Sequence, residues 1–320
     1  MYDVAAIGEL LIDFTQNGTS GQGNGLFEAN PGGAPCNVLA MLQKLGKKTA
    51  FLGKVGRDPF GALLSERAAA AGIDVCGLVM DAAVPTTLAF VHTMPDGDRD
   101  FSFYRSPGAD MMLTEQEVSL AITEQTRMLH FGTVSMTGEP VRSATQKAIV
   151  SAKGKGALLS FDPNLRPPLW DSLDEAKAQM AYGFSQCDIL KVSEEELAFF
   201  TGEETIFQGM DRLQEQYSIP LVTVTMGKKG SMAFYKGESL YQPPFETPDT
   251  IETTGAGDTF CACVLSTVLD CGLDGLTPDV LRTMLLFANA AASLITTRRG
   301  ALCVMPERQE VEAYIRSAKA

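Results

Sequence analysis

Residues 252–260 read Glu-Thr-Thr-Gly-Ala-Gly-Asp-Thr-Phe, and the apolar run after them predicts a helix over about residues 257–270. The three small residues before this helix leave backbone N–H groups uncovered at the positive end of the helix dipole. Such a turn suits an anion, a phosphate above all, and Asp258 stands at the helix start facing it. The alternative is that Asp258 is only a helix cap, a common position for aspartate.

Residues 31–37, Pro-Gly-Gly-Ala-Pro-Cys-Asn, form a second glycine cluster before a predicted helix over residues 37–45. The adjacent glycines Gly32 and Gly33 allow the backbone to approach a ligand closely. Asn37 is a candidate cap for the helix. A plain turn followed by a cap is the alternative interpretation.

Outward from these two turns, short β-branched or apolar runs alternate with longer helical stretches along the chain. The predicted strands cover residues 4–7, 49–52, 128–131, 157–161, 189–192 and 220–225, followed by a hairpin over 231–241. The predicted helices cover residues 37–45, 59–71, 140–152, 174–184, 194–201, 257–270 and 277–296. This alternation predicts an α/β fold with a large, doubly wound, mostly parallel sheet flanked by helices.

Two segments interrupt the alternation. Residues 15–30 are rich in Gly, Asn and Ser, and residues 86–104 alternate apolar with polar around the turn signal Pro95-Asp-Gly-Asp98. We expect them to pair as a small β-sheet lid over the carboxyl edge of the main sheet. The expected division is a core of residues 1–12, 31–85 and 108–320, with a lid of residues 13–30 and 86–107.

Composition narrows the classes of function. The 320 residues include 26 basic and 39 acidic ones, a net charge of −13 that repels a nucleic-acid backbone. No apolar run is long enough for a membrane span, and the first residues lack a signal-peptide pattern, so we expect a cytoplasmic protein with no membrane partner. The seven cysteines include no C-x-x-C pair, which favours reduced thiols over a disulfide or zinc framework.

Several catalytic motifs are missing from the sequence. It contains no G-x-x-x-x-G-K-[ST], and no predicted strand is followed by G-x-G-x-x-G. There is no G-x-S-x-G, and only two histidines are available. These observations disfavour a Walker-type nucleotide site, dinucleotide-dependent hydride transfer and a Ser-His-Asp hydrolase.

Three motifs together resemble the signature regions of the ribokinase-like carbohydrate kinases: residues 32–37, residues 56–61 (Gly-Arg-Asp-Pro-Phe-Gly) and residues 252–258. The resemblance extends over essentially the whole chain. Residues 103–110 (Phe-Tyr-Arg-Ser-Pro-Gly-Ala-Asp) and 162–170 (Asp-Pro-Asn-Leu-Arg-Pro-Pro-Leu-Trp) resemble the fructokinase branch. The resemblance implies phosphoryl transfer from ATP to a ketohexose, with Mg²⁺ and K⁺ as cofactors.

The resemblance also implies a role for individual residues. Asp258 matches the general base, and the backbone of Gly255, Ala256 and Gly257 matches an anion hole. The residues implied to bind the sugar are Asp13, Gly32, Gly33, Asn37, Phe103, Arg105 and Arg166. Those implied to bind ATP and Mg²⁺ are Lys191, Ser193, Glu196, Thr225, Gly227, Gly230 and Asn289, and those near a monovalent cation are Glu252, Thr254 and Gly300.

The segment 193–196 has another interpretation. Ser193 departs from the asparagine that is usual in the family, and the acidic residues 194–196 also suit a solvated first helical turn.

Asp258 is expected to be a weak base, because an ordinary aspartate has a pKa near 3.9 and the helix dipole lowers it further. A loose transition state tolerates a weak base, because the hydroxyl proton leaves late.

Three functions compete at this point. A fructokinase that forms fructose 6-phosphate is favoured. A 2-keto-3-deoxygluconate kinase is the alternative, because Arg105 and Arg166 could clamp a carboxylate. A catalytically silent regulatory member is disfavoured by the retained Asp258.

The lid is expected to expose an apolar face and open strand edges, which predicts a homodimer formed through the lid, as in many relatives.

Overall fold

A nine-stranded sheet lies at the centre of the computed structural model, which describes residues 1–93, 99–245, 247 and 249–318. The strands are β1 (Tyr2–Ile7), β2 (Leu11–Thr19), β3 (Gly25–Gly32), β4 (Thr49–Gly56), β5 (Asp74–Asp81), β6 (Leu88–Thr93), β7 (Arg99–Tyr104), β8 (Thr126–Gly132), β9 (Leu158–Asp162), β10 (Ile189–Ser193), β11 (Leu221–Thr225), β12 (Ser231–Tyr235) and β13 (Glu238–Gln242). The order in the main sheet is β13-β12-β11-β10-β9-β8-β1-β4-β5. Neighbours from β11 to β5 are parallel, and β12 and β13 add an antiparallel hairpin.

Helices cover both faces of this sheet. They are α1 (Ala34–Lys44), α2 (Pro59–Ala70), α3 (Leu120–Thr123), α4 (Val141–Gly154), α5 (Leu173–Gln186), α6 (Glu194–Thr201), α7 (Ile206–Gln214), α8 (Ala256–Cys271), α9 (Pro278–Ile295) and α10 (Arg308–Ala318). On β1, Val4 and Ala6 join the core formed with α1, α8 and α9, whereas Ala5 and Ile7 join the core formed with α4 and α5. Burial on both faces explains why these strands are almost continuously apolar in sequence. The predicted doubly wound α/β fold is confirmed.

The predicted lid is also confirmed as a four-stranded sheet in the order β3-β2-β6-β7. Its strands come from the two segments that interrupt the alternation, and β2 pairs in parallel with β6 although the two strands are far apart in the sequence. The turn predicted at residues 95–98 lies outside the described residues.

The two glycine clusters begin their helices differently from the sequence expectation. α1 begins at Ala34 with Gly33 as N-cap, so Asn37 lies inside the helix and does not cap it. α8 begins at Ala256 with Gly255 as N-cap in the left-handed region (φ 78°). Asp258 is therefore the third residue of α8, and the interpretation of Asp258 as a helix cap is wrong.

The alternation did not predict four elements: the edge strand β5, the four-residue helix α3, and the helices α7 and α10. β5 is mostly half-buried, and α10 buries Val311 alone, so neither carries a strong apolar pattern. α7 is short, with nine residues, and Thr205 caps it. None of the helices in the described part of the chain has both the length and the apolar character to cross a membrane.

Candidate active site

Two cavities open at the carboxyl edge of the main sheet. The first, of about 710 Å³, lies between the lid and the segments that follow β1, β8 and β9. The second, of about 660 Å³, lies between the turn after β11 and the helices α8 and α9. Thr253 and Gly257 line both cavities. The two spaces therefore meet at the turn that opens α8.

The lid places alternate residues on opposite sides, as the two-residue period of a strand requires. Asp13, Val91 and Phe103 line the first cavity. Phe90 and Tyr104 belong to an aromatic cluster on the other side, with ring centroids 5.4 Å apart. The lid thus closes one side of the first cavity with its inner face.

The turn before α8 is narrow, and its glycines leave the backbone open to a ligand. A Cβ on Gly255 would lie 2.7 Å from the Cβ of Ala301, and one on Gly257 would lie 3.2 Å from the Nζ of Lys191. Ala256 donates its N–H to the carbonyl of Thr253 at 3.3 Å. Within the described residues, no hydrogen bond engages the N–H groups of Gly255 and Gly257, which remain available to an anion.

Asp258 lies in the first cavity and is held by Asn37. The Nδ2 of Asn37 donates to the Oδ2 of Asp258 at 2.8 Å, and both side chains are buried. Burial raises the pKa of Asp258 to about 6, although the hydrogen bond from Asn37 acts in the opposite direction and lowers it. The expectation of a pKa below the ordinary value is therefore wrong, because burial outweighs the helix dipole here. The Oδ1 of Asn37 is buried without a partner among the described residues.

Two further sugar-site candidates face the same space. Asp13 lines the first cavity, and Gly32 allows its approach, because a Cβ there would lie 2.1 Å from the Oδ2 of Asp13. Arg166 also lines the cavity, and its Nη1 donates to the carbonyl of Leu165 at 3.1 Å. No carboxylate in the described part of the chain forms an ion pair with Arg166.

Arg105 is not part of the cavity lining, contrary to the sequence expectation. Its Nε binds the Oδ2 of Asp110 at 2.7 Å, its Nη1 donates to Thr137 at 2.9 Å, and its Nη2 donates to the carbonyl of Val134 at 2.9 Å. The side chains of Arg105 and Asp110 are 3% and 1% exposed. Thr87, just before β6, also binds Asp110. Asp110 thus binds both the residue just before β6 and the residue just after β7, and so holds one end of these two lid strands to the core.

The predicted phosphate side contains a buried ion pair. The Nζ of Lys191 lies 3.1 Å from Asp162 and close to Gly257. Burial lowers the pKa of Lys191, but the charges of Asp162 and Glu196 more than offset this, and the pKa lies above its usual value. Lys191 is therefore a permanent cation beside the anion hole.

The acidic run 194–196 is divided between structural and exposed positions. Ser193 and Glu196 form a capping box at the start of α6, and the Oε1 of Glu196 also accepts the N–H of Leu165 at 2.8 Å. Both side chains are committed to the fold. Glu195, which the sequence analysis named only as part of the acidic run, is exposed and lines the first cavity.

The second cavity gathers the remaining nucleotide candidates, Thr225, Gly227, Gly230 and Asn289. Asn289 donates its Nδ2 to the carbonyls of Gln242 and Pro243, each at 3.2 Å, and so anchors the segment after β13 to α9.

The three cation-site candidates are also close together. Glu252 accepts the hydroxyl of Thr254 at 2.5 Å through one carboxylate oxygen and the N–H of Gly300 at 3.1 Å through the other. This carboxylate joins the segment before α8 to the segment after α9, next to the anion hole. Its oxygen-rich surroundings fit a hard monovalent cation.

Glu9 is the main residue that sequence reasoning missed. It is 6% exposed, lines the first cavity, and its Oε1 accepts the N–H of Ala34 at 3.0 Å. Its position directly after the first predicted strand, at the edge of the sheet where ligands bind, is the signal that could have identified it.

Comparison with known proteins identifies the family. The chain matches the profile of the pfkB family carbohydrate kinases over residues 1–308. It belongs to this family of carbohydrate kinases, and the resemblance to ribokinase-like kinases is confirmed.

Several relatives with similar sequences or structures are fructokinases. The probable fructokinase-2 of Arabidopsis thaliana is 39% identical over 315 residues, which are 98% of this chain and 95% of the relative. The crystal structure of fructokinase with bound ATP from Xylella fastidiosa has a TM-score of 0.90 and 29% identity, with 100% of both chains covered. A fructokinase double mutant from Vibrio cholerae O395, crystallised with fructose, ADP and a potassium ion, has a TM-score of 0.88 and 30% identity, with 98% of both chains covered.

Proposed function

We propose that the protein transfers the γ-phosphoryl group of ATP to D-fructose and forms D-fructose 6-phosphate. The observation that carries this proposal is the meeting of the two cavities at Gly257, next to Asp258. A sugar in the first cavity and a triphosphate in the second bring hydroxyl and phosphorus together at the start of α8. Phosphoryl transfer depends mainly on such positioning and on charge neutralisation.

Asp258 accepts the proton of the attacking hydroxyl. With a pKa of about 6 it is ionised at neutral pH, and yet it is a stronger base than an ordinary aspartate. The N–H groups of Gly255 and Gly257 and the ammonium of Lys191 stabilise the charge on the phosphoryl group in transit. The free Oδ1 of Asn37 accepts a hydrogen bond from a sugar hydroxyl.

Two cations accompany this chemistry. Glu195 offers an exposed carboxylate at the cavity, which fits Mg²⁺ held mainly by phosphate oxygens. The Glu252, Thr254 and Gly300 cluster fits K⁺. When bound, the cations neutralise phosphate charge, and Glu252 supports the anion hole through its bonds to both flanking segments.

The charges around the cavity favour a neutral sugar over a sugar acid. A 2-keto-3-deoxygluconate kinase needs cations for the carboxylate, and Arg105 is neutralised by Asp110 outside the cavity. Asp13 and Asp258 add negative charge to the cavity, which repels the carboxylate of a sugar acid. Arg166 is the specific observation in favour of the sugar acid, because it faces the cavity without a carboxylate partner in the described chain.

The proposal also includes a homodimer through the lid. The lid carries Leu26, Phe27 and Tyr104 with 48%, 43% and 66% of their surfaces exposed. Phe27 and Tyr104 both pack against the ring of Phe90, so they form one aromatic surface across the sheet. A second copy of the chain covers such a surface and the open strand edges beside it.

A substrate panel tests the proposed activity. ADP release is measured with ATP, Mg²⁺ and K⁺ and either fructose, ribose or 2-keto-3-deoxygluconate, and phosphorus NMR identifies the product. We expect the highest kcat/KM with fructose and a phosphate ester at C6. A higher kcat/KM for the sugar acid would overturn the fructokinase assignment, and the absence of ADP release with every sugar would support the silent regulatory member.

A further inference from the structure

Helix α1 begins without a cap of its own. Its N-cap is Gly33, its first turn contains Pro35, which has no N–H, and no acidic residue lies in that turn. The carboxylate of Glu9, 25 residues earlier in the chain, accepts the N–H of Ala34 at 3.0 Å. The cap of α1 therefore comes from the turn between β1 and β2, where a negative charge also complements the helix dipole.

The backbone of Glu9 fixes the same turn. Gly33 has φ 121°, and a Cβ at this position would lie 2.4 Å from the carbonyl oxygen of Glu9. The carbonyl of Gly33 accepts the N–H of Asn37 at 3.0 Å, the first helical hydrogen bond of α1. Asn37 in turn donates to Asp258. A continuous series of contacts thus connects Glu9 to the candidate general base.

We propose that Glu9 is a positioning residue for phosphoryl transfer, whose ionised carboxylate caps α1 and through Asn37 sets the orientation of Asp258. The activity measurements below rest on the proposed function, whereas the spectroscopic measurement does not.

The surroundings of Glu9 make its charge sensitive to pH near neutrality. Burial raises the pKa of Glu9 to about 7, while the bond from Ala34 and the charge of Arg105 lower it and Asp110 raises it. Cys36 faces Glu9 from α1, and burial keeps this thiol neutral by raising its pKa. The charged side chains that line the same cavity are Asp13, Arg166, Lys191, Glu195 and Asp258. The ionisation of Glu9 should therefore affect the activity near neutral pH, in addition to the ionisation of Asp258.

The variant Glu9→Gln separates charge from shape, because glutamine retains the length and the acceptor oxygen. We expect kcat/KM for fructose at pH 8 to fall about fivefold, since a charge-assisted hydrogen bond is about twice as strong as a neutral one. At pH 6, where wild-type Glu9 is mostly protonated, the difference should narrow to less than about twofold. Glu215→Gln, an exposed change at the end of α7 that lines neither cavity, is the matched control and should leave the profile unchanged. Parallel pH profiles for Glu9→Gln and wild type would overturn the proposal.

A double-variant comparison tests the route through Asn37. If Glu9 acts through Asn37, then Glu9→Gln should add little to the loss caused by Asn37→Ala. Fully additive losses would contradict this route.

NMR provides a measurement that needs no enzymatic activity. In the wild-type protein, the Ala34 amide should shift with pH around a midpoint near 7, and Glu9→Gln should abolish this shift. The Asn37 side-chain amide should follow both this midpoint and the ionisation of Asp258 near 6, and Glu9→Gln should remove only the component near 7. Signals that stay constant between pH 6 and 8 would overturn the proposal, even if fructose proves not to be the substrate.

Discussion

The side-chain amide of Asn37 lies 2.8 Å from the carboxylate of Asp258, although the two residues are 221 positions apart in the sequence. This hydrogen bond joins helix α1 to helix α8. Asn37 is in the first turns of α1 and Asp258 in the first turn of α8, so the N-termini of both helices converge on one cavity. Each N-terminus carries a partial positive charge. The two glycine clusters of the sequence thus meet at one cavity, with Asp258 between them.

Arg166 tests how the sugar is recognised. If it donates hydrogen bonds to neutral hydroxyls, Arg166→Ala should lose about 1.5 to 3 kcal/mol of binding, or roughly tenfold to 150-fold in kcat/KM for fructose. The loss should fall mainly on KM. Steady-state kinetics with Arg212→Ala, an exposed change on α7, provide the control. A change within threefold of wild type would remove Arg166 from the sugar site.

Arg105 is expected to act on stability. Arg105→Met leaves Asp110 buried without its cation, a change that costs about 3 to 5 kcal/mol in the free energy of unfolding. Arg212→Met, which breaks an exposed ion pair, should cost less than about 1 kcal/mol. Urea denaturation measures both.

A second variant separates the charge from the volume of Arg105. The combination of Arg105→Met with Asp110→Leu should recover most of the stability, because no unpaired buried charge remains. If Arg105→Met alone unfolds at the wild-type urea concentration, the ion pair does not hold the lid to the core.

The sequence predicted the α/β sheet and the lid because both are encoded in local patterns. It also identified Asp258 and both glycine turns. Arg105 was misplaced because its partner Asp110 is revealed only by the packing of the lid on the core. The pKa of Asp258 was misjudged for a similar reason, since the groups around it, among them Asn37, Asp162 and Lys191, come from distant parts of the sequence.

Stability should depend on pH through Glu9. Its folded pKa, about 7, lies above the ordinary value of 4.5, so between these values the folded state binds more protons than the unfolded state. The contribution of Glu9 to stability is therefore present at low pH and is lost as pH rises. We expect the free energy of unfolding of Glu9→Gln, relative to wild type, to increase by about 2 to 3 kcal/mol from pH 5 to pH 8. A difference that is constant with pH would show that Glu9 is ionised throughout.

The exposed aromatic surface of the lid predicts that the protein is a homodimer. Light scattering at micromolar concentration should give twice the chain mass of 34.3 kDa. Replacing two exposed aromatic residues, Phe27→Ser with Tyr104→Ser, should shift the protein to monomers, whereas the exposed Phe207→Ser on α7 should not. A fully active monomer of the wild-type chain would contradict the proposed dimer.

The most direct test of the mechanism is the turnover of Asp258→Asn with fructose and MgATP. Asparagine keeps the size of the side chain and can still pair with Asn37, and Asp258 is not the cap of α8, so the fold should be retained. The proton acceptor is lost, and kcat should fall by about 10² to 10⁴ with little change in the KM for either substrate. A kcat within tenfold of wild type, in a variant with an unchanged unfolding curve, would contradict the role of Asp258 as the base.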